Sequence, residues 1–405
     1  MPKGRAAVKA AQDPHAIAKE LVSRIYDDIL KEGCVVFLGA GSTTERPSHG
    51  RKTYYEHIKE IAQFSGGSPS FPELMQYFCD RMDGGHHNRL IREALSRIEI
   101  FCVRGEDNHT ATMFTDSLAE IPYFNRFVTT NWDPFLERSL DVLVPMVEDR
   151  DLAFWDDNKR QVLKIHGCIT RPYSIVATQG DYDECMGRNP LIFNKMKDLM
   201  ATKTFLFAGY SMRDADFKKV WDLINGSLGH FAHLPYALDS NATADQVSFW
   251  GDLGIQIFRA TDIMFIRTLR ERLEKEELVP SEQFLRFLQR ERHRIVSTHL
   301  KMGQTSDGRL SSAMYQDGLL HELESILTST NLGTKKKRDF ENEHGETLKQ
   351  LEQMRRCNNP IEIAYWSGRA GVLERFNKRK RSPIPTFFHP YRLCPMPRLV
   401  KGENF

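Results

Sequence analysis

Val35-Val36-Phe37-Leu38-Gly39-Ala40-Gly41-Ser42 carries a four-residue apolar run straight into a glycine-rich turn. Such a run, closed by turn residues, reads as a buried strand. Gly39 and Gly41 lack Cβ atoms, so backbone N–H groups there can come close to a pyrophosphate, and a helix following the turn would add its positive N-terminal end. The third glycine of the G-x-G-x-x-G dinucleotide fingerprint is absent, because Thr44 stands in its place. Taken alone, the turn is equally well a plain tight turn.

Three further apolar runs end in the same way. Phe127 to Thr130 leads into Asn131-Trp132-Asp133, Val162 to Ile165 into His166-Gly167, and Thr204 to Ala208 into Gly209-Tyr210-Ser211. Ligands of open parallel sheets sit beyond the carboxyl ends of the strands, so four such ends can converge on one crevice. Around them the pattern alternates. Strands are predicted over 126–130, 162–166, 174–178, 204–208, 235–239 and 255–259, and helices over 190–201, 214–226 and 242–251. That alternation predicts an α/β fold with a Rossmann-like, doubly wound parallel sheet. Asp13-Pro14 caps a preceding helix whose Ile17, Leu21, Ile25 and Ile29 recur every four residues up to Gly33. Helical patterns at 54–64, 73–82 and 88–101 form an insertion after the first strand. Beyond Thr261 only helices are predicted, over 263–276, 281–300, 310–327 and 347–357, and the five prolines of 382–399 suit an extended arm.

In their order along the chain, GAGS, TNWD, KIHG and GYSMRDADF resemble the sirtuin (SIR2) superfamily. The similarity is closer to its bacterial SIR2-like branch, whose members often serve as NAD-consuming effectors in anti-phage defence. SIVATQGDYDE after the His-Gly pair and ALDSNATADQVSFWGDLGIQIF near residue 250 fit that branch, and the resemblance covers roughly residues 33 to 262. It implies three parts: an N-terminal tail and helix over 1–32, a SIR2-like NAD-binding catalytic domain over 33–262 with its helical insertion at about 53–120, and a C-terminal helical and basic region over 263–405.

The resemblance also assigns roles. His166 is implied as the general base, acting on water or a ribose hydroxyl, for which an imidazole is suited at neutral pH. Asn131 matches the asparagine of the family's T-Q-N-x-D motif, which positions the ribose and the attacking water; here Thr130 replaces the glutamine. Asp133 matches the aspartate that contacts the nicotinamide carboxamide, and it is equally well placed as a helix cap before Pro134. The cofactor-binding set is Gly39, Ala40, Gly41, Ser42, Thr43, Asn131, Asp133, Gly209, Tyr210 and Ser211, within which Gly209 and Ser211 match the G-x-S motif that holds the phosphate and adenosine-ribose end. Asp214 and Asp216 read as caps of the next helix. Deacylating sirtuins follow the glycine turn with an Ile-Pro-Asp-Phe-Arg type loop. This chain has Ser42 to Pro47 instead, in which Arg46 reads as a surface arginine rather than a pyrophosphate ligand.

Composition bounds the function. The 405 residues are 40% hydrophobic and 10% aromatic, enough for two or three packed domains. No apolar run approaches a membrane span, and the first residues lack the apolar segment of a signal peptide, so a cytoplasmic location without membrane contact is expected. Seven scattered cysteines predict thiols rather than a disulfide framework. There is no C-x-x-C pair, so the zinc module of deacylating sirtuins is absent and no metal is expected; His86-His87 reads as the start of a surface helix. Residues 331–405 hold sixteen Lys/Arg against eight Asp/Glu within a chain whose net charge is only +2. Their clusters at 335–338 and 378–381 read as solvated linkers, or as contacts for an acidic partner or nucleic acid. The expected activity is NAD glycohydrolysis, with NAD as substrate and no metal. Protein deacylation and a non-catalytic NAD or ADP-ribose-binding subunit are the alternatives, and a dehydrogenase is a more distant one. A homo-oligomer is expected, with a HerA-type ATPase as candidate partner, as some members of the branch pair with one.

Overall fold

The computed structural model describes residues 13–46, 52–81, 87–103, 105–210, 221, 226, 233–276, 278–279, 310–331, 337–357 and 360–377. Helix α1 (Pro14–Leu30) starts where the Asp13 carboxylate accepts from the His15 N–H at 3.0 Å and Pro14 supplies a ready helical φ. Ala18, Leu21, Val22, Ile25, Tyr26 and Ile29 make its buried stripe. Glu32 then takes a left-handed φ of 56° and the chain enters β1 (Cys34–Leu38), all of it buried.

Five more strands follow among the described residues: β2 (Arg126–Thr129), β3 (Gln161–Lys164), β4 (Thr204–Ala208), β5 (Tyr236–Leu238) and β6 (Gln256–Phe258). They pair in parallel in the order β3-β2-β1-β4-β5-β6. The order reverses between β1 and β4, which is the topological switch point where doubly wound folds bind ligands. Both faces of the sheet are covered, as its central strands, buried along their whole length, require. Because side chains alternate along a strand, Cys34, Val36 and Leu38 enter one core and Val35 and Phe37 the other. The first core is closed by α1 and by α10 (Asp262–Lys275) through Phe265, Ile266, Leu269 and Leu273. The second is closed by α7 (Gln179–Arg188) and by α8 (Pro190–Thr202) through Ile192, Phe193 and Met196.

The insertion between β1 and β2 consists of α2 (Tyr54–Ile61), α3 (Phe71–Arg81), α4 (His87–Val103) and α5 (Gly105–Ala119). It has its own core around Ile58, Leu74, Met75, Phe78 and Leu90, into which Ile169, Ile175 and Ala177 also pack. Phe114 and Leu118 of α5 turn the other way, into the sheet core with α1. The remaining helices among the described residues are α6 (Phe135–Ser139), α9 (Ala244–Asp252), α11 (Leu310–Asn331), α12 (Lys337–Arg356) and α13 (Pro360–Asn377).

The chain divides into two compact units, one of Met1–Arg294 with Leu323–Asp339 and one of Ile295–Glu322 with Phe340–Phe405. In the second, Gly318 meets the main chain of Tyr365 so closely that a Cβ would come within 2.0 Å of its carbonyl oxygen. There Arg369 Nε donates at 2.8 Å to the fully buried Glu322. No helix among the described residues is long and apolar enough to cross a membrane.

The expected strand at 174–178 does not form. Pro172–Ser174 make a 3-10 turn, and the Ala177 and Thr178 N–H groups donate to Asp181 in the capping box of α7 instead of to a neighbouring strand. No α-helix follows the glycine turn directly either; Ala40–Ser42 form one 3-10 turn. α5, α7 and α13 were not anticipated from the pattern, and α12 begins ten residues before the expected 347. Ser211, Asp214, Asp216, His86, Lys335, Lys336, the segment 281–300, the cluster 378–381 and the arm 382–399 lie outside the described residues.

Candidate active site

Four strand ends reach the same height. Leu38 pairs with Thr129 on one side and Ala208 on the other, and Thr129 pairs with Lys164. The Gly39 turn, Asn131-Trp132-Asp133, His166-Gly167 and the Gly209 turn therefore all leave the sheet just past one row of paired residues. Asn131 and His166 each follow that row by two residues on neighbouring strands, which lie about 4.8 Å apart.

The two glycine turns interlock. A Cβ on Gly39 would come within 2.3 Å of the Gly209 carbonyl oxygen, and one on Gly209, whose φ is +62°, within 2.1 Å of the Ser42 nitrogen. Gly39 N–H donates to Ala208 O at 3.0 Å, Gly41 N–H to Gly209 O at 2.9 Å, and Ser42 and Thr43 N–H close the turn onto Gly39 and Ala40. The missing side chains thus serve the packing of β1's end against β4's end, and these amides are satisfied within the protein. Tyr210 follows, its ring 4.7 Å from that of Phe37.

Thr43 links the turn to the second motif. Its hydroxyl donates to Asp133 Oδ2 and accepts from Asn131 Nδ2, each at 3.0 Å, with all three residues buried. The Asn131 N–H donates to Thr129 Oγ1, whose own proton goes to Leu38 O. Asn131 Oδ1, also buried, accepts no hydrogen bond among the described residues. Asp133 fulfils the capping role as well, since its Oδ1 accepts from the Phe135 N–H at the start of α6. Burial pushes the Asp133 carboxyl above the usual carboxylate range, against the pull of Lys164.

Lys164 is a residue that the sequence reading passed over. It is fully buried, and its Nζ donates to Asp133 O at 2.5 Å and to both oxygens of Glu137 at 3.0 and 3.2 Å. Burial opposes its charge, but the neighbouring Glu137, Cys168 and Asp133 more than compensate and hold its pKa above the ordinary lysine value. The signal was a charged residue set between the apolar Val162, Leu163 and Ile165. Beyond it, Gly167 takes φ +86° and lies against Ser174 O, while His166 O accepts from Val176 N–H at 3.1 Å. The His166 ring meets the edge of Tyr182 of α7 at 4.8 Å, with Nδ1 3.4 Å from the phenol oxygen.

Arg46 is not the surface residue expected. It is nearly buried and donates to Asp262 Oδ2 at 2.6 Å and to Ser42 O at 3.2 Å, tying the glycine turn to the start of α10. Glu45 beside it accepts from the Tyr54 N–H and from Arg97, which anchors the helical insertion to the same turn. Burial raises the Glu45 carboxyl pKa, opposed by Arg97.

Residues 125–258 match the profile of the SIR2-like domain family. That stretch is similar to a SIR2-like domain and covers about a third of the chain. Relatives include the NAD(+) hydrolase ThsA of Cytobacillus dafuensis, 25% identical over 233 residues, which cover 55% of this chain and 43% of that protein. The NAD(+) hydrolase ThsA of Enterococcus faecium is 27% identical over 241 residues, which cover 55% of this chain and 47% of that protein. The chain spans less than half the length of these curated relatives.

The matched part of the SIR2-like domain runs from β2 to β6 and contains Asn131, Asp133, His166, Gly209 and Tyr210. β1 and its glycine turn precede the match, yet they supply Thr43, the hinge of the Asn131–Asp133 network. The site therefore combines an imidazole, a buried amide whose acceptor is unfilled among the described residues, and a buried carboxyl group at one switch point. That set can orient a hydroxyl-bearing substrate and take a proton from an attacking oxygen.

Proposed function

We propose that the chain hydrolyses NAD at the nicotinamide–ribose bond, as a SIR2-like effector of anti-phage defence. Asn131 Oδ1 carries the reading. A buried carbonyl oxygen without a partner costs about 1–3 kcal/mol, and a fold keeps that cost where a ligand removes it. The ribose hydroxyl or the attacking water donates to this oxygen, while Thr43 and Asp133 hold the amide from its other side.

Nicotinamide departs as a neutral base, so the reaction needs a stabilised oxocarbenium-like ribose and a nucleophile, as in glycoside hydrolysis. His166 takes the proton from water as its oxygen bonds to the ribose C1′. The C1′–nitrogen bonding pair leaves with nicotinamide, and NAD and water become nicotinamide, ADP-ribose and a proton. Asp133 receives the carboxamide N–H of the leaving group. The segments from Gly39 to Thr43 and from Gly209 to Ser211 are the candidates for the phosphate and adenosine-ribose end, through groups other than the Gly39, Gly41, Ser42 and Thr43 amides, which the protein itself satisfies. The relatives' name, NAD(+) hydrolase, supports this substrate. The protein acts in the cytoplasm, where NAD is found, and works as a homo-oligomer through its C-terminal helices, with a HerA-type ATPase as candidate partner.

Purified protein incubated with NAD, with and without an acylated peptide, tests the activity. Nicotinamide and ADP-ribose are expected in equal amounts without the peptide. Strict dependence on an acyl-lysine would assign a deacylase, and tight NAD or ADP-ribose binding without turnover would assign a sensor subunit.

A further inference from the structure

We propose that Thr43 is the positioning residue of Asn131: its hydroxyl passes the acceptor-only character of the Asp133 carboxylate on to the amide, so that Asn131 turns its carbonyl oxygen, not its NH2 group, to the substrate. The proposal rests on the reading of Asn131 Oδ1 as the group that meets the ribose hydroxyl or the water. It assigns the choice of that atom to a residue outside the matched stretch 125–258.

Two threonines hold Asn131. Thr129 Oγ1 gives its proton to Leu38 O at 2.9 Å and accepts from the Asn131 N–H at 3.0 Å, which fixes the backbone. Thr43 fixes the side chain, since its Oγ1 donates to Asp133 Oδ2 and accepts from Asn131 Nδ2, each at 3.0 Å. A hydroxyl has one proton and by itself would run this chain in either direction. Asp133 sets the direction. As a carboxylate it only accepts, and its Oδ1 already accepts from the Phe135 N–H at 3.1 Å. The Thr43 proton therefore goes to Oδ2, the Thr43 oxygen is left as an acceptor, and the part of the amide that meets it must be the NH2 group. The Ala40 carbonyl oxygen, 3.5 Å from Thr43 Oγ1, is a further acceptor and not a donor, so it cannot reverse the order. Oδ1 is thereby left on the other side of the amide, buried and without a hydrogen bond among the described residues.

The direction is a property of the charge on Asp133. Lys164 of β3, which donates to the Asp133 carbonyl oxygen, favours the carboxylate form, while burial and Glu137 of α6 oppose it. A protonated Asp133 would donate to Thr43 and let the amide turn round. Asp133→Asn imitates that state at nearly constant volume, because its amide has one oxygen for two donors. The Phe135 N–H belongs to the backbone and cannot turn away, so the oxygen stays on it and the new NH2 group faces Thr43. The Thr43 proton then passes to Asn131 Oδ1, and the chain runs backwards.

The test reads the amide directly. In the full chain labelled with 15N-asparagine at pH 8, the Asn131 side-chain signal is the one that Asn131→Ala removes, and no substrate is needed. Wild type and Thr43→Ser are expected to show one Asn131 amide proton held against solvent exchange, and Thr43→Val and Asp133→Asn to lose that protection. With NAD, Thr43→Val is expected to lower kcat roughly tenfold, the upper range of one hydrogen bond's net worth, with KM little changed, and Thr43→Ser to regain most of the loss. In an Asn131→Ala background, Thr43→Val should cost less than about twofold more, because a residue that acts through another loses its effect with it. Asn131 amide protons that Thr43→Val and Asp133→Asn leave unmoved overturn the proposal, and so do additive losses in that cycle. Where Thr43→Val does not fold, the Asp133→Asn spectrum decides. A wild type with the protected amide proton that leaves NAD intact would sink the proposed activity and leave the orientation of Asn131 standing.

Discussion

Asn131, His166 and Asp133 occupy buried positions in which a stability-driven core would place apolar residues, and each therefore makes a separable prediction. Asn131→Ala and His166→Ala should each lower NAD turnover by about 10²-fold or more, the scale for losing a positioned acid, base or orienting group. Circular dichroism should stay native. Near-full activity in folded His166→Ala would remove the general base from the mechanism. Asp133 predicts a trade. Its carboxyl lies above the ordinary value of 3.8 because burial outweighs the pull of Lys164, so the unfolded chain releases this proton first. Stability is lost as pH rises from the ordinary value through the raised one, and the penalty is complete above it. Asp133→Asn should leave melting temperature near wild type at pH 4 and raise it at pH 8. Turnover should fall about tenfold to a hundredfold, the scale of losing a hydrogen bond to a charged group. A variant that melts lower than wild type at pH 8 would contradict the penalty.

At the scale of elements, the Lys164–Glu137 pair joins β3 to α6 beneath the Asn131–Asp133 turn. Removing one partner of a buried pair strands the other charge at a cost of about 3–5 kcal/mol, whereas replacing both by apolar residues is often neutral. Lys164→Met should thus melt far below wild type, and Lys164→Met/Glu137→Leu should recover most of the loss. A double variant as unstable as the single one would assign the cost to packing instead. The strands themselves were legible because a central parallel strand must be apolar on both faces; β4 runs from Thr204 to Ala208 as read, and β1 and β2 lie within a residue of their reading. The false strand at 174–178 arose from the β-branched Ile175 and Val176. Pro172 and the Thr178-x-x-Asp181 capping signature were present to argue the other way. The positions of Asn131 and His166 just past strand ends were legible because each follows an apolar run in a motif. Lys164 was not, since its meaning lies in Glu137, a partner that only the fold brings near. α13 was missed because its apolar residues are spread round the helix rather than along one face.

At the scale of the whole molecule, an unrestrained NAD hydrolase would drain a pool that every redox pathway shares, so the proposed activity calls for a resting state without turnover. The expectation that residues 263–405 gate it through assembly is tested poorly by cutting at 262. That cut removes α10, whose fully buried Phe265, Leu269 and Leu273 close the core over α1, at about 1.5–3 kcal/mol for each side chain. A substitution inside the second unit is cleaner. Gly318→Val in the full-length chain drives two methyl groups against the Tyr365 main chain, which already lies where even a Cβ would clash, and so pushes α11 and α13 apart within that unit. If those helices carry assembly, wild type should self-associate and its turnover per chain should rise with protein concentration. Gly318→Val should then sediment as a monomer, lose most of that concentration-dependent turnover and keep the melting transition of the sheet-containing unit. Sedimentation velocity paired with nicotinamide release over a hundredfold range of concentration reads both. A wild-type monomer that hydrolyses NAD at full rate at every concentration would end the case for gating by self-assembly.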